Sequence, residues 1–248
     1  MDISIGSLAI IGAAFLLAGL VKGVIGMGLP TVSIGLLALV MTPAQAAVLL
    51  IVPSLVTNVW QMVAGPAMRP LLRRLWPLLA AIVIGTFAGG FFLVADASGR
   101  ATAALGIVLV LYAIFGLSKV HFRVRRRSEP WLAPIIGFVT GIISAATSVF
   151  VVPALPYYQA IGLEKEELVQ TLGLSFSVST LALAAVLAWH GMFAASIAGP
   201  SLFALAAALL GMVAGQWVRL RVRPETFRRW FFIGLLALGA HLVLRYVA

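Results

Sequence analysis

A lysine, two amides and a set of hydroxyls stand inside stretches of chain that are otherwise apolar. Lys22 is the only cation outside a loop or terminus. An ionisable group within a membrane-length apolar segment is a functional candidate by default. It also lies about 20 residues from the chain start, near an interface to which its long stem could snorkel, so both readings stay open. Thr57, Asn58 and Gln61 share a second segment, and Asn58 and Gln61, three residues apart, share a helix face. A buried amide needs partners, which makes Asn58 a candidate ligand. Ser175, Ser179 and Thr180 fall in a later segment, and Ser144, Thr147 and Ser148 mark a break between two short ones. A lone hydroxyl in a helix is satisfied by its own carbonyls; grouped hydroxyls can donate to a ligand.

The chemistry these types suit is the binding of a small oxyanion. Helix N-termini offer unpaired N–H groups and the positive end of the dipole without a large desolvation cost. Gly23, Gly26 and Gly28 let the backbone approach closely, and Pro30 suits the first turn of a returning half-helix. The competing reading of these glycines is helix–helix packing by small residues.

Other chemistries find no residues. Asp2, Asp96, Glu129, Glu164, Glu166, Glu167 and Glu225 all read as loop or terminal, so no carboxylate lies within a predicted span. A carboxylate proton relay and a carboxylate sodium site are therefore not expected. There is no His-Glu-x-x-His and no pair of intramembrane aspartates, and His121, His190 and His241 sit near segment ends. With no cysteine there is no disulfide or thiolate metal site. No catalytic residue, metal or cofactor is expected.

The elements that must position these residues follow from composition. Of 248 residues, 62% are hydrophobic and 10% charged, too little polar surface for a water-soluble domain. Apolar runs fall at about 3–21, 24–42, 46–64, 75–95, 101–118, 131–147, 149–161, 168–189, 193–218 and 227–247. The start of the chain lacks a basic n-region and a small-residue cleavage site, so the first run reads as part of the mature protein. A helical crossing needs about 20 residues. The region 131–161 is therefore one tilted crossing or a hairpin returning to its own face.

Charge chooses between them. Arg69, Arg73 and Arg74 read as one loop; Lys119, Arg123, Arg125, Arg126 and Arg127 as a second; Arg219, Arg221, Arg223, Arg228 and Arg229 as a third. If 131–161 and 3–42 both return, all three share one face. That face is then cytoplasmic by the positive-inside rule, with both termini opposite. The net charge of +10 is thus a topology signal rather than a nucleic-acid footprint. Trp60, Trp76, Trp131 and Trp189 fit an aromatic belt.

Glycine spacing suggests a duplication: Gly19 and Gly23 match Gly137 and Gly141, Gly85-x-x-x-Gly89 matches Gly211-x-x-x-Gly215, and Gly106 matches Gly234. The expected fold is an all-α integral membrane protein of two inverted repeats, each a broken, re-entrant helical hairpin plus three transmembrane helices. Residues 1–118 form the first repeat, 119–130 a basic linker and 131–248 the second. Inverted repeats with helices broken at mid-membrane are a secondary-transporter architecture. A homodimer through the glycine-rich helices is compatible with the sequence.

The run from Ala18 through Lys22, Gly23 and Gly26 to Gly28 resembles the glycine-rich opening of the TauE/SafE family of sulfite and organosulfur-anion exporters. The runs Pro53–Gln61, Val152–Tyr157 and Leu168–Phe176, and the helix of Gly211 and Gly215, are similar too, so the resemblance spans about residues 10–245. It implies an inner-membrane permease that moves small sulfur-containing or carboxylate anions out of the cell. The second hairpin departs from the pattern, reading Ser144-Ala145-Ala146-Thr147-Ser148 where a glycine-rich tip is typical. The candidate substrate-binding set is Lys22, Gly23, Gly26, Gly28, Asn58, Gln61, Ser144, Thr147, Ser148, Ser175 and Thr180, with a small anion and the bilayer as partners. The alternatives are a transporter or channel for another small anion, and a non-transporting assembly subunit.

Overall fold

The computed structural model describes residues 5–94, 99–118 and 122–247. Asp2, Asp96, Lys119 and His121 lie outside them. The described residues form ten α-helices and no strand. Eight are long and apolar enough to cross a bilayer: α1 (Ile5–Ile25), α3 (Pro43–Val63), α4 (Met68–Val94), α5 (Arg100–Leu117), α6 (Glu129–Thr147), α8 (Lys165–Trp189), α9 (Ala198–Arg219) and α10 (Pro224–Val247). The other two, α2 (Leu29–Leu37) and α7 (Ala154–Ala160), are only about 14 and 10 Å long at 1.5 Å per residue. Polarity is inverted relative to a soluble protein. Trp60, Trp76, Trp131 and Trp189 are exposed, while Lys22, Asn58, Gln170 and many hydroxyls are buried.

The hairpin around 24–42 differs in detail from expectation. α1 continues through Lys22 and Gly23 to Ile25, and the reversal falls at Gly26 and Gly28, whose φ angles are 79° and 101°. Only glycine adopts such angles without strain. In the second hairpin the non-helical stretch is longer, so α7 starts at Ala154 rather than near 149.

The arginines expected in loops lie partly on helices. Arg69, Arg73 and Arg74 occupy the start of α4, Arg219 ends α9, and Arg228 and Arg229 lie near the start of α10. Helix α4 has 27 residues, about 40 Å against a ~30 Å hydrocarbon core, long enough for its charged end to stand clear of the apolar layer. The acids move similarly. Glu129, Glu166, Glu167 and Glu225 sit in first turns of helices rather than loops, where the dipole favours negative charge. Among the described residues no carboxylate is buried.

Helix directions follow from which residues meet. α1 runs parallel to α3, since Lys22 reaches Thr57 and Asn58 while Gln61 reaches Gly26. Hence α2 brings the chain back to the face where α1 began. α8 runs antiparallel to α3, with Ser54 at Thr180 and Gln61 at Val169. α4 reverses α3 after four residues, and α6 runs parallel to α4, with Gly85 at Phe138 and Gly89 at Ile142. α6 and α8 therefore point the same way, and 131–161 returns on itself. α9 is parallel to α1, so Arg219 ends on the face where α4 and α6 begin. The described members of all three basic clusters share one face.

The close crossings are glycine-made. Gly19 and Gly23 face the carbonyls of Ala208 and Met212, and Gly211 and Gly215 face those of Leu16 and Leu20. Gly85 similarly faces Phe138 on α6, while Gly137 and Gly141 face Leu78 and Ile82 on α4. α1 thus pairs with α9, α4 with α6, α3 with α8 and α5 with α10. These glycines are covered within the chain. Gly106 meets Gly239, and Gly234, expected as its counterpart, faces open space.

Candidate functional site

Lys22 lies in the last turn of α1 and is only 4% exposed. It does not snorkel. Its ammonium donates to Thr57 Oγ1 at 3.1 Å and to Asn58 Oδ1. Thr57 directs its hydroxyl hydrogen to the Pro53 carbonyl at 2.8 Å, leaving its lone pairs for Lys22. Asn58 Nδ2 donates to Ser54 Oγ at 3.0 Å, and Ser54 stands 2.9 Å from Thr180 Oγ1. Thr180 commits its own hydrogen to the Phe176 carbonyl at 2.6 Å, so Ser54 is the donor to Thr180. The result is a one-directional chain from the ammonium across α3 to α8, in which every member is held as an acceptor for the group before it. An ammonium has three hydrogens, and among the described residues Lys22 has two acceptors.

The first helix break begins one turn beyond Lys22. Gly26 N–H still bonds Lys22 O at 2.8 Å, then the chain turns and α2 starts. The N-cap, Gly28, has no side-chain acceptor to offer. The first-turn N–H groups of α2 thus lack the usual capping partner. Pro30 lies in that first turn as expected, and Thr31 follows it with a buried hydroxyl that has no partner. Gln61 uses both amide hydrogens to fix this turn, donating to Gly26 O at 3.1 Å and Val169 O at 2.9 Å. Gly23 sits on the far side of α1, against the backbone of α9.

The second break is built differently. Ser148 ends α6 with φ 59°, a left-handed angle costly for a residue with a Cβ. Its hydroxyl is buried and unpartnered. Ser144 Oγ donates to Val149 O at 3.3 Å, and Thr147 Oγ1 donates to Ile143 O at 2.7 Å while accepting from Val149 N–H at 3.3 Å. Ser175 accepts from Tyr158 OH on α7 at 2.7 Å. Among the described residues, no hydrogen bond joins Ser144, Thr147, Ser148 or Ser175 to the Lys22 chain. α3 and α8 cross between the hairpins, with α2 against α3, Lys22 of α1 bonded to α3, and α6 and α7 against α8.

The model of the sulfite exporter TauE/SafE family matches residues 11–242. The chain belongs to that family. Membership places this multi-pass TauE/SafE protein in a family of membrane anion exporters. No curated protein and no solved structure matches it.

Three residues of this TauE/SafE chain escaped the sequence reading. Ser54 links Asn58 to Thr180, Tyr158 binds Ser175, and Thr31 sits unpartnered at the first break. Ser54 was within reach, since it lies four residues before Asn58 and so on the same helix face. Thr31 carried only its place after Pro30, and nothing local marked Tyr158.

Proposed function

We propose that the protein is a secondary transporter exporting a small anion such as sulfite or an organosulfonate. The anion takes the remaining N–H of Lys22 beside Thr57 and Asn58, with the first turn of α2 adding backbone donors and its positive dipole end. The observation that carries this reading is a buried lysine whose only partners are neutral acceptors, in a core with no buried carboxylate among the described residues. A cation so placed lacks a counter-charge, and an anion provides one.

Residues 1–118 and 131–248 act as inverted repeats joined by the linker 119–130, and they rock about the site to expose it alternately on each face. Support comes from α3 running antiparallel to α8 and α5 to α10, and from the reciprocal pairing of α1 with α9 and α6 with α4. Ser144, Thr147, Ser148 and Ser175 form the second repeat's side of the path. The basic face is cytoplasmic, and the membrane is the bacterial inner membrane.

Efflux from proteoliposomes loaded with sulfite, an organosulfonate or a carboxylate tests the proposal. The expected result is saturable efflux of at least one anion that Lys22→Met abolishes. Flux that never saturates, or that Lys22→Met leaves intact, overturns it.

A further inference from the structure

We infer that the basic face carries a binding site for the phosphate of an anionic phospholipid, in the cleft between the N-terminal ends of α4 and α6. This cleft, of about 370 Å³, is lined by Arg73, Arg74, Trp76, Arg126, Glu129 and Pro130 among others. Its one acid is already committed. Arg74 grips Glu129 through two bonds of 2.9 and 2.7 Å and also donates to the Ile161 carbonyl at the end of α7. Arg73 and Arg126 are exposed and have no acidic partner among the described residues. The cleft therefore holds two uncompensated guanidinium groups beside a neutralised pair. Guanidinium geometry suits bidentate phosphate recognition.

What surrounds the cleft identifies the ligand as a lipid. Trp76 and Trp131, on the same two helices, are 61% and 59% exposed, as interfacial tryptophans are. Farther along, α4 presents Ile84 and Phe87 and α6 presents Ile135 and Val139 outward. A ligand with its phosphate on Arg73 and Arg126 has an apolar wall beside it on which two acyl chains can lie. Free phosphate would use only the head of such a site. Arg221 makes a useful contrast, because its guanidinium stacks 3.5 Å over Trp217 and stands outside the cleft. The bound lipid would brace the α4–α6 pair and, through Arg74, the C-terminal end of α7.

Detergent-purified protein is titrated with phosphatidylglycerol, phosphatidylcholine or inorganic phosphate, with thermal unfolding and native mass spectrometry as readouts. Phosphatidylglycerol should raise Tm and remain bound, whereas phosphatidylcholine and inorganic phosphate at equal concentration should not. Arg73→Gln with Arg126→Gln should weaken phosphatidylglycerol retention by about thirtyfold, the expected contribution of two basic residues at an anionic headgroup. Arg221→Gln should leave retention unchanged. Because Arg73 and Arg126 hold nothing else in place, the double variant should keep its lipid-free Tm, and the single Arg126→Gln variant provides a milder reading. Equal effects of the two lipids, or full retention in the double variant, overturn the site. A shift with inorganic phosphate matching that with phosphatidylglycerol overturns the lipid as its source. None of these outcomes depends on transport.

Discussion

Lys22 and Asn58 hold each other in place, so changing either has effects of two kinds. Lys22→Met removes a buried cation and leaves two acceptors, Thr57 Oγ1 and Asn58 Oδ1, without a donor. Loss of the charge and loss of its bonds partly offset in stability, so the variant should fold but lose anion-induced thermal stabilisation altogether. Unchanged stabilisation by sulfite or an organosulfonate would remove Lys22 from the site. Asn58→Ala is harsher on the fold, because Lys22 and Ser54 both lose a partner while staying buried. It should destabilise the protein by about 1–3 kcal/mol, read by thermal unfolding. Both residues stood out in the sequence because an ammonium or an amide, unlike a hydroxyl, is not satisfied by its own helix's carbonyls. The hydroxyls could not be sorted that way. Thr147 bonds its own helix, Ser54 bonds across to α8, and the sequence shows the same kind of side chain in both cases.

The helices are held at backbone contact by small residues, and the glycines differ in what an added methyl would meet. Gly215→Ala would drive a methyl into the Leu20 carbonyl of α1. It should cost about 1–3 kcal/mol through overpacking and lower the thermal midpoint. Gly234→Ala meets nothing and should be neutral or stabilising by about 0.5–1 kcal/mol, the ordinary helix preference for alanine. Equal effects of the two would mean that the α1–α9 crossing is looser than described. At the break, Gly28→Ala forces a side chain onto a φ of 101° and should cost about 1–3 kcal/mol while impairing efflux. The helical segments were legible from hydropathy, because a bilayer demands apolar runs of fixed length. Their ends were not. Arginine stems tolerate helical positions at the membrane edge, as Arg73 and Arg74 do, so charge does not mark where a helix starts.

At the scale of the whole molecule, the buried Lys22 would set how the proposed transport responds to voltage. With the anion on Lys22 as proposed, a bound monoanion would cancel its charge, so the loaded site would cross nearly neutral and the empty site would return carrying the charge. Exchange of an organosulfonate monoanion for itself should then ignore the membrane potential. Net efflux should instead quicken with an inside-negative potential, by up to ~2.3 kcal/mol of driving force per charge per 100 mV. Vesicles with imposed potassium-diffusion potentials separate the two. Efflux indifferent to potential but dependent on a pH or sodium gradient would contradict this scheme.

The sequence by itself determined that the chain spans the membrane, and its charge pattern favoured a returning 131–161 with the three basic clusters on one face. Bilayer thickness and charge asymmetry act on local composition, so composition suffices to reveal them. The same holds for Lys22 and Asn58 as polar groups needing partners inside an apolar segment. Only the tertiary structure decided what those partners are. It placed Lys22 against α3 instead of the interface, and it assigned Gly23 to the α9 contact instead of the break. It also left Ser144 and Thr147 bonded within the second hairpin and Ser148 without a partner. A residue's neighbours depend on how helices far apart in sequence cross. That depends on backbone contacts such as Gly215 with Leu20, which leave no trace in local composition.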